Sequence, residues 1–344
     1  MRICIVTDAW APQVNGVVRT LEATRAVLGT GGHGVTVIAP NRFRSAPCPT
    51  YPEIRLALAR PSEVARMVEA ARPEVLHIAT EGPLGYAARR WAKQTGAPFT
   101  TAFHTNFPQY AARRTGLPQD VFWPAMRRFH APASAVLCAT ASLAAELATR
   151  GIPHTSAWSR GVNLSAFGPD GPVDRTMLAL ANGRTMLLYV GRVAVEKNIR
   201  AFLSLPGDAA KFVVGDGPQR AALKKAFPAA YFLGTRRGAE LAAAYRSADA
   251  FVFPSRTDTF GLVMIEALAS GTPVAAYDTT GPRDVLTAAT GAIGNDLAAN
   301  VERALALDPA ACIAHAQSFT WERATDMFEN ALVPLAPSRA ALVA

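Results

Sequence analysis

Ala250-Phe251-Val252-Phe253-Pro254-Ser255-Arg256-Thr257-Asp258-Thr259-Phe260-Gly261-Leu262-Val263-Met264-Ile265-Glu266-Ala267-Leu268-Ala269-Ser270-Gly271-Thr272-Pro273-Val274 is the stretch whose reading decides the fold. Its first four residues predict a buried strand stopped by Pro254. A polar turn follows, then a helix over 262–270 closed by Gly271, and a second strand from Val274. Such a strand–loop–helix aims the first N–H groups of its helix beyond the strand end, which makes Phe260, Gly261 and Leu262 a candidate anion site. Two carboxylates, Asp258 and Glu266, sit on the stretch. On a helix Glu266 shares a face with Leu262, Val263, Ala269 and Ser270, and a carboxylate buried there needs hydrogen-bond donors. Paired hydroxyls of a sugar are one source. The alternative is that Asp258 or Thr259 caps the helix while Glu266 pairs with a core arginine.

The same alternation runs through the chain. Apolar runs at 2–7, 34–39, 74–79, 98–103 and 135–139 each precede a helical segment, the first over about 17–28. Short strands alternating with helices predict an α/β protein with parallel, doubly wound sheets, whose ligands bind beyond the carboxyl ends of the strands. The Gly/Pro cluster Gly168-Pro169-Asp170-Gly171-Pro172 marks a domain boundary. The expected domains are 1–165 and 166–320, with a last helix over about 321–344 whose end, from Pro334, reads as frayed.

Composition narrows the function. The chain has 344 residues, half of them hydrophobic, enough for two sizeable cores. Cys4, Cys48, Cys138 and Cys312 are scattered, without metal-ligand spacing, and read as reduced core thiols. No apolar run is long enough for a membrane span, and the first strand leaves no room for a signal peptide. The net charge is +9, and residues 1–165 hold 18 Lys/Arg against 9 Asp/Glu, so the whole excess lies in the first half. That favours an anionic partner for this half. No nucleic-acid motif is present, so a membrane surface leads.

The segments after predicted strands carry the candidate site residues. Asn15-Gly16 opens the first helix, where glycine permits close approach of a ligand. His104-Thr105-Asn106-Phe107-Pro108-Gln109-Tyr110 follows a strand. Arg192 and Lys197, in Gly191-Arg192-Val193-Ala194-Val195-Glu196-Lys197-Asn198, suit a diphosphate. Thr235 and Arg236 follow another strand. Phe122, Met126 and Phe129 recur at helical spacing with Trp123 beside them and Arg113, Arg114, Arg127 and Arg128 around them. Either the aromatics are core and the arginines a solvated face, or the segment lies in a bilayer interface.

An acid, seven intervening residues and a glutamate between Phe253-Pro254-Ser255 and Ala269-Ser270-Gly271-Thr272-Pro273-Val274 resembles glycosyltransferase family four, near its lipid glycosyl- and mannosyltransferase branch. The run Val190–Asn198, the His104 motif and Ser159-Arg160-Gly161-Val162-Asn163 resemble it too. The first acid is usually Glu there; here it is Asp258. The resemblance implies the GT-B fold, two Rossmann-like domains facing across a cleft, and retaining transfer of a glucosyl, glucuronosyl or mannosyl group from a nucleotide-diphosphate sugar. It places Gly16 at the donor phosphate, His104 at the donor sugar, Thr235 and Arg236 at the base, Asp258 on sugar hydroxyls and Glu266 on ribose hydroxyls. Arg192, Lys197 and the N–H groups at 260–262 would take the leaving diphosphate. With no Asp-x-Asp in the chain, cations stand in for a metal, and no cofactor is expected beyond the donor substrate. The expected acceptor is a lipid such as diacylglycerol at the inner face of the cell membrane, the enzyme being cytoplasmic and peripheral. A soluble or polysaccharide acceptor, a nucleotide-sugar epimerase and a non-catalytic nucleotide-sugar binder are the alternatives.

Overall fold

The computed structural model describes residues 1–13, 15–48 and 51–335, except the side chains of residues 48, 51–54, 113 and 114. It divides into two compact units, Met1–Ser159 with the chain from Trp321 on, and Arg160–Thr320.

The strands of the first unit are β1 (Arg2–Val6), β2 (Gly34–Ile38), β3 (Ser45–Cys48), β4 (Tyr51–Ala57), β5 (Val75–Ile78), β6 (Thr100–Phe103), β7 (Ala135–Cys138) and β8 (Thr155–Ala157). Six of them form a parallel sheet in the order β2-β1-β5-β6-β7-β8, with Ile3 opposite Val35 on one side and Val75 on the other. Helices cover both faces, which is why the strands read as unbroken apolar runs. Cys4, Val6, Leu76, Ile78 and Phe103 belong to one core, Ile3, Ile5, Leu21, Trp158 and Phe328 to the other. Helix Gly16–Thr30 starts where Asn15 Oδ1 accepts from Val17 N and Val18 N, both at 3.0 Å. Helix Trp321–Ala331 adds Phe328, whose ring packs against His77 and Trp158. Beyond it the chain is tied rather than frayed at first: Leu335 N donates to Glu74 O at 2.7 Å, and Pro334 bridges Val75. Residues 336–344 lie outside the described ones.

The strands of the second unit are β9 (Met186–Val190), β10 (Ala210–Val214), β11 (Tyr231–Gly234), β12 (Ala250–Phe253), β13 (Val274–Tyr277) and β14 (Gly291–Gly294). They form a parallel sheet in the order β11-β10-β9-β12-β13-β14. From β9 the chain winds outward through β10 and β11; it then returns to β12 and winds the other way. The switch point lies between β9 and β12, and in such sheets ligands bind outside the carboxyl ends of that pair.

Three thiols are placed: Cys4, Cys138 and Cys312 are buried, and burial pushes the Cys4 and Cys312 thiols up to about 12. The Cys48 side chain lies outside the described ones.

Candidate functional site

The switch point of the second unit brings together the segment after β9 and the segment after β12. Asn198 Nδ2 donates to Pro254 O at 3.1 Å, and Thr257 Oγ1 to Glu196 O at 3.4 Å. Lys197 Nζ meets Asp258 Oδ1 at 2.5 Å, with the two side chains 20% and 16% exposed. Arg192 pairs with Glu196, a carboxylate almost wholly buried. Each cation predicted for a diphosphate therefore comes with a carboxylate of its own. Asp258 Oδ2 is buried and has no hydrogen-bond partner among the described residues.

Backbone packing holds these groups. Gly215 and Gly217 lie at φ of +139° and +155°, and a Cβ on them would come within 1.9 Å of Gly191 O and 2.5 Å of Val193 O. The turn after β10 thus presses on the segment bearing Arg192, and Val193 N donates to Asp216 O at 2.8 Å. From below, the buried Tyr189 donates its hydroxyl to Arg192 O at 2.9 Å, and burial raises the phenol well above its usual range.

Helix Leu262–Ala269 begins at Gly261 in the left-handed region, φ +90°, with no side-chain cap. With a glycine at the N-cap, the N-terminal N–H groups near Phe260–Leu262 have the form of an anion site. Glu266 is 1% exposed and accepts from Tyr245 Oη at 3.0 Å. One donor to this carboxylate is thus a buried tyrosine. Nothing in the sequence around Tyr245 singled it out.

Other predicted residues fall as follows. Thr235 is exposed beyond β11. The Arg236 guanidinium pairs with Asp174, the residue capping helix Arg175–Ala181, and burial lowers its pKa. Gly16 lies exposed at the start of its helix, where Asn15 already takes two N–H groups. His104 follows β6, nearly buried, its ring 5.1 Å from that of Trp158 at 60°. Trp123 is 1% exposed and stacks on Phe103 with centroids 6.0 Å apart, so the membrane assignment is corrected for this residue. Trp123, Met126 and Phe129 form the core face of helix Trp123–His130. Phe122 is half-buried, with Arg127 and Arg128 exposed. The side chains of Arg113 and Arg114 lie outside the described ones.

The sequence also missed a buried carboxylate in the first unit. Asp8, just past β1, accepts from Leu84 N at 2.9 Å, Gly85 N at 3.2 Å and Thr80 Oγ1 at 2.9 Å. Burial raises its pKa against those bonds. It anchors the start of helix Pro83–Thr95, and its position after a strand was the only available signal.

Each unit is thus a parallel sheet of Rossmann type, and the second carries cations and a helix N-terminus at its switch point. Sucrose-phosphate synthase from Thermosynechococcus elongatus shares the fold, with a TM-score of 0.75 at 21% identity over 95% of this chain and 97% of that one. Residues 14–166 match Glycosyltransferase Family 4, and residues 184–307 match Glycosyl transferases group 1. A GDP-mannose-dependent alpha-mannosyltransferase of Mycolicibacterium smegmatis is 35% identical over 313 residues, 83% of this chain and 82% of that one. Sulfoquinovosyl transferase SQD2 of Arabidopsis thaliana is 32% identical, over 71% of this chain and 50% of that one. Alpha-monoglucosyldiacylglycerol synthase of Streptococcus pneumoniae is 27% identical, over 80% and 71%. The chain belongs to glycosyltransferase family 4.

Proposed function

We propose that the protein transfers a hexosyl group, with retention of configuration, from a nucleotide-diphosphate sugar to a hydroxyl of a membrane lipid such as diacylglycerol. The observation that carries the donor half is the Lys197–Asp258 pair at the switch point, beside a helix N-terminus that opens on a glycine. As the glycosidic bond breaks, negative charge grows on the departing diphosphate. Arg192, Lys197 and the N–H groups at the start of helix Leu262–Ala269 are fixed beforehand to receive it. Asp258 Oδ2, buried without a protein partner among the described residues, is an acceptor for sugar hydroxyls. Glu266, oriented by Tyr245, is the acceptor for ribose hydroxyls. His104, beyond β6, is the first-unit residue proposed for the sugar. The acceptor hydroxyl approaches on the face the leaving group vacates and passes its proton to the departing phosphate, so no side-chain nucleophile is required. With cations supplied by the chain, no metal cofactor is needed in this scheme.

The lipid half rests on charge and exposure. The excess of positive charge lies in residues 1–165. Phe107, Leu117 and Val121 are 49%, 50% and 57% exposed, within the 21 positions before the exposed Arg127 and Arg128. No helix among the described residues is long and apolar enough to cross a membrane. A peripheral position on the cytoplasmic face of the cell membrane fits both facts. A relative named as GDP-mannose-dependent supports GDP-mannose as one donor, and one named for monoglucosyldiacylglycerol supports a glucosyl donor as another.

The test incubates the enzyme with native membranes and a panel of nucleotide sugars, with and without EDTA, and examines the lipid extract by mass spectrometry and proton NMR. The expected result is one new α-linked hexosyl lipid, formed in EDTA as well. A β linkage rejects the retaining mechanism, loss in EDTA restored by magnesium rejects metal independence, and a product confined to the aqueous phase rejects the lipid acceptor.

A further inference from the structure

We propose that Asp258 and the donor diphosphate compete for Lys197, so that the site favours a nucleotide sugar over the nucleoside diphosphate left after transfer. This rests on the donor reading above. Lys197 Nζ is held by Asp258 Oδ1 at 2.5 Å, in a pair four-fifths removed from solvent. The other oxygen, Oδ2, is buried and has no hydrogen-bond partner among the described residues, so Lys197 is the one cation seen on that carboxylate. The segments bearing the two groups are tied through Asn198–Pro254 and Thr257–Glu196, which keeps the carboxylate near the ammonium whether or not a ligand is present.

Two states follow from this geometry. A nucleoside diphosphate alone can draw Lys197 toward its phosphate only by weakening the hold of Asp258, and it offers that carboxylate nothing in exchange. A nucleotide sugar brings hydroxyl donors, which bond to the carboxylate and lower its demand for the ammonium. Sugar recognition and phosphate recognition are therefore coupled through one ion pair. Once the sugar has moved to the acceptor, Asp258 loses its hydroxyl partners and recaptures Lys197. Release of the spent nucleotide is favoured by the same exchange. Asp258 is thus a specificity-determining residue as well as a sugar-binding one.

The experiment is a double-mutant cycle read by calorimetric titration of GDP, UDP and ADP into wild type, Asp258→Asn, Lys197→Ala and the double variant at one ionic strength. Asparagine keeps the shape of aspartate, and a thermal melt of each variant monitors folding. The nucleotide that binds should bind Asp258→Asn about fivefold tighter than wild type, the upper range for a partly exposed ion pair. The gain should disappear in the Lys197→Ala background. The preference for the matching nucleotide sugar over its nucleoside diphosphate should shrink in Asp258→Asn. Equal or weaker nucleotide binding by Asp258→Asn overturns the competition, because Lys197 then serves both anions at once. So does an equal gain without Lys197, which is plain charge repulsion. No binding of any nucleotide by wild type and Asp258→Asn alike removes the donor reading itself.

Discussion

Lys197 can be shortened without opening a core, because its ammonium lies at the end of a stem beyond a strand rather than inside one of the packed clusters. Lys197→Ala does leave the largely buried Asp258 without its cation, and is expected to cost about 1–3 kcal/mol of stability while the unit stays folded. It should lower kcat by about 10²- to 10³-fold, the cost of losing one fixed group that receives leaving-group charge. A thermal melt and steady-state kinetics check both, and near-normal kcat would remove Lys197 from the site. His77 makes the opposite case, a residue of pure structure. It is fully buried, its Nδ1 is 2.9 Å from Thr100 Oγ1, and burial holds its pKa down to about 3. The unfolded imidazole takes its proton near pH ~6.5, so between those values only the unfolded chain is protonated. The stability this neutral ring protects is full above pH ~6.5 and drains as pH falls toward the folded value, by at most about 1.4 kcal/mol per pH unit. Urea midpoints at pH 7 and 4.5 should fall further for wild type than for His77→Gln. Equal falls would mean the ring is protonated in the folded state.

Elements differ in how plainly the sequence announces them. A strand covered on both faces has only apolar residues to offer, so β1, β5, β9 and β12 stood out as runs bounded by polar turns. The β3–β4 hairpin did not: Pro47 and Pro52 interrupt its strands, which lie outside both main sheets. The helix Trp123–His130 misled for another reason. Its aromatic spacing fits a core face and a membrane face equally, and only packing decides; Phe103 and Arg150 enclose the Trp123 ring. The paired cations Arg192 and Lys197 were legible from their place after a strand. Their carboxylate partners were not legible as partners, because Glu196 and Asp258 meet them through turns whose geometry no periodicity reports. Tyr245 was hidden altogether, being an aromatic among alanines on helix Gly238–Ser247. The core assignment of Trp123 carries its own expectation. Trp123→Ala should cost about 3–5 kcal/mol of stability, as large-to-small changes of buried aromatics do. Chemical denaturation measures it, and a loss below 1 kcal/mol would return Trp123 to the surface.

At the scale of the whole molecule, charge is the property that no single element reveals. Residues 1–165 carry an excess of nine positive charges over 18 basic and 9 acidic side chains, and the remaining 17 basic and 17 acidic residues cancel. Net charge does not build a fold, but it steers association with anionic surfaces. Each Lys or Arg near such a surface is worth about 1 kcal/mol, and the attraction falls off over a Debye length of about 10 Å at 0.1 M salt and about 3 Å at 1 M. Vesicles rich in anionic lipid should therefore sediment with the protein at low salt and largely lose it at high salt. The exposed Phe107, Leu117 and Val121 would add an apolar part that salt does not screen. Replacing these three by serine should leave the thermal melt unchanged and remove the salt-resistant fraction. Replacing Arg127 and Arg128 by serine should remove part of the salt-sensitive one. Trp123 contributes to neither, since its ring is already spent on the core. If wild type ignores anionic vesicles at low salt, the basic half serves some other anion and the lipid acceptor loses its physical basis. If the charge variant binds as well as wild type, the docking face lies elsewhere on the first unit, and the arginines of helix Trp123–His130 are a solvated surface.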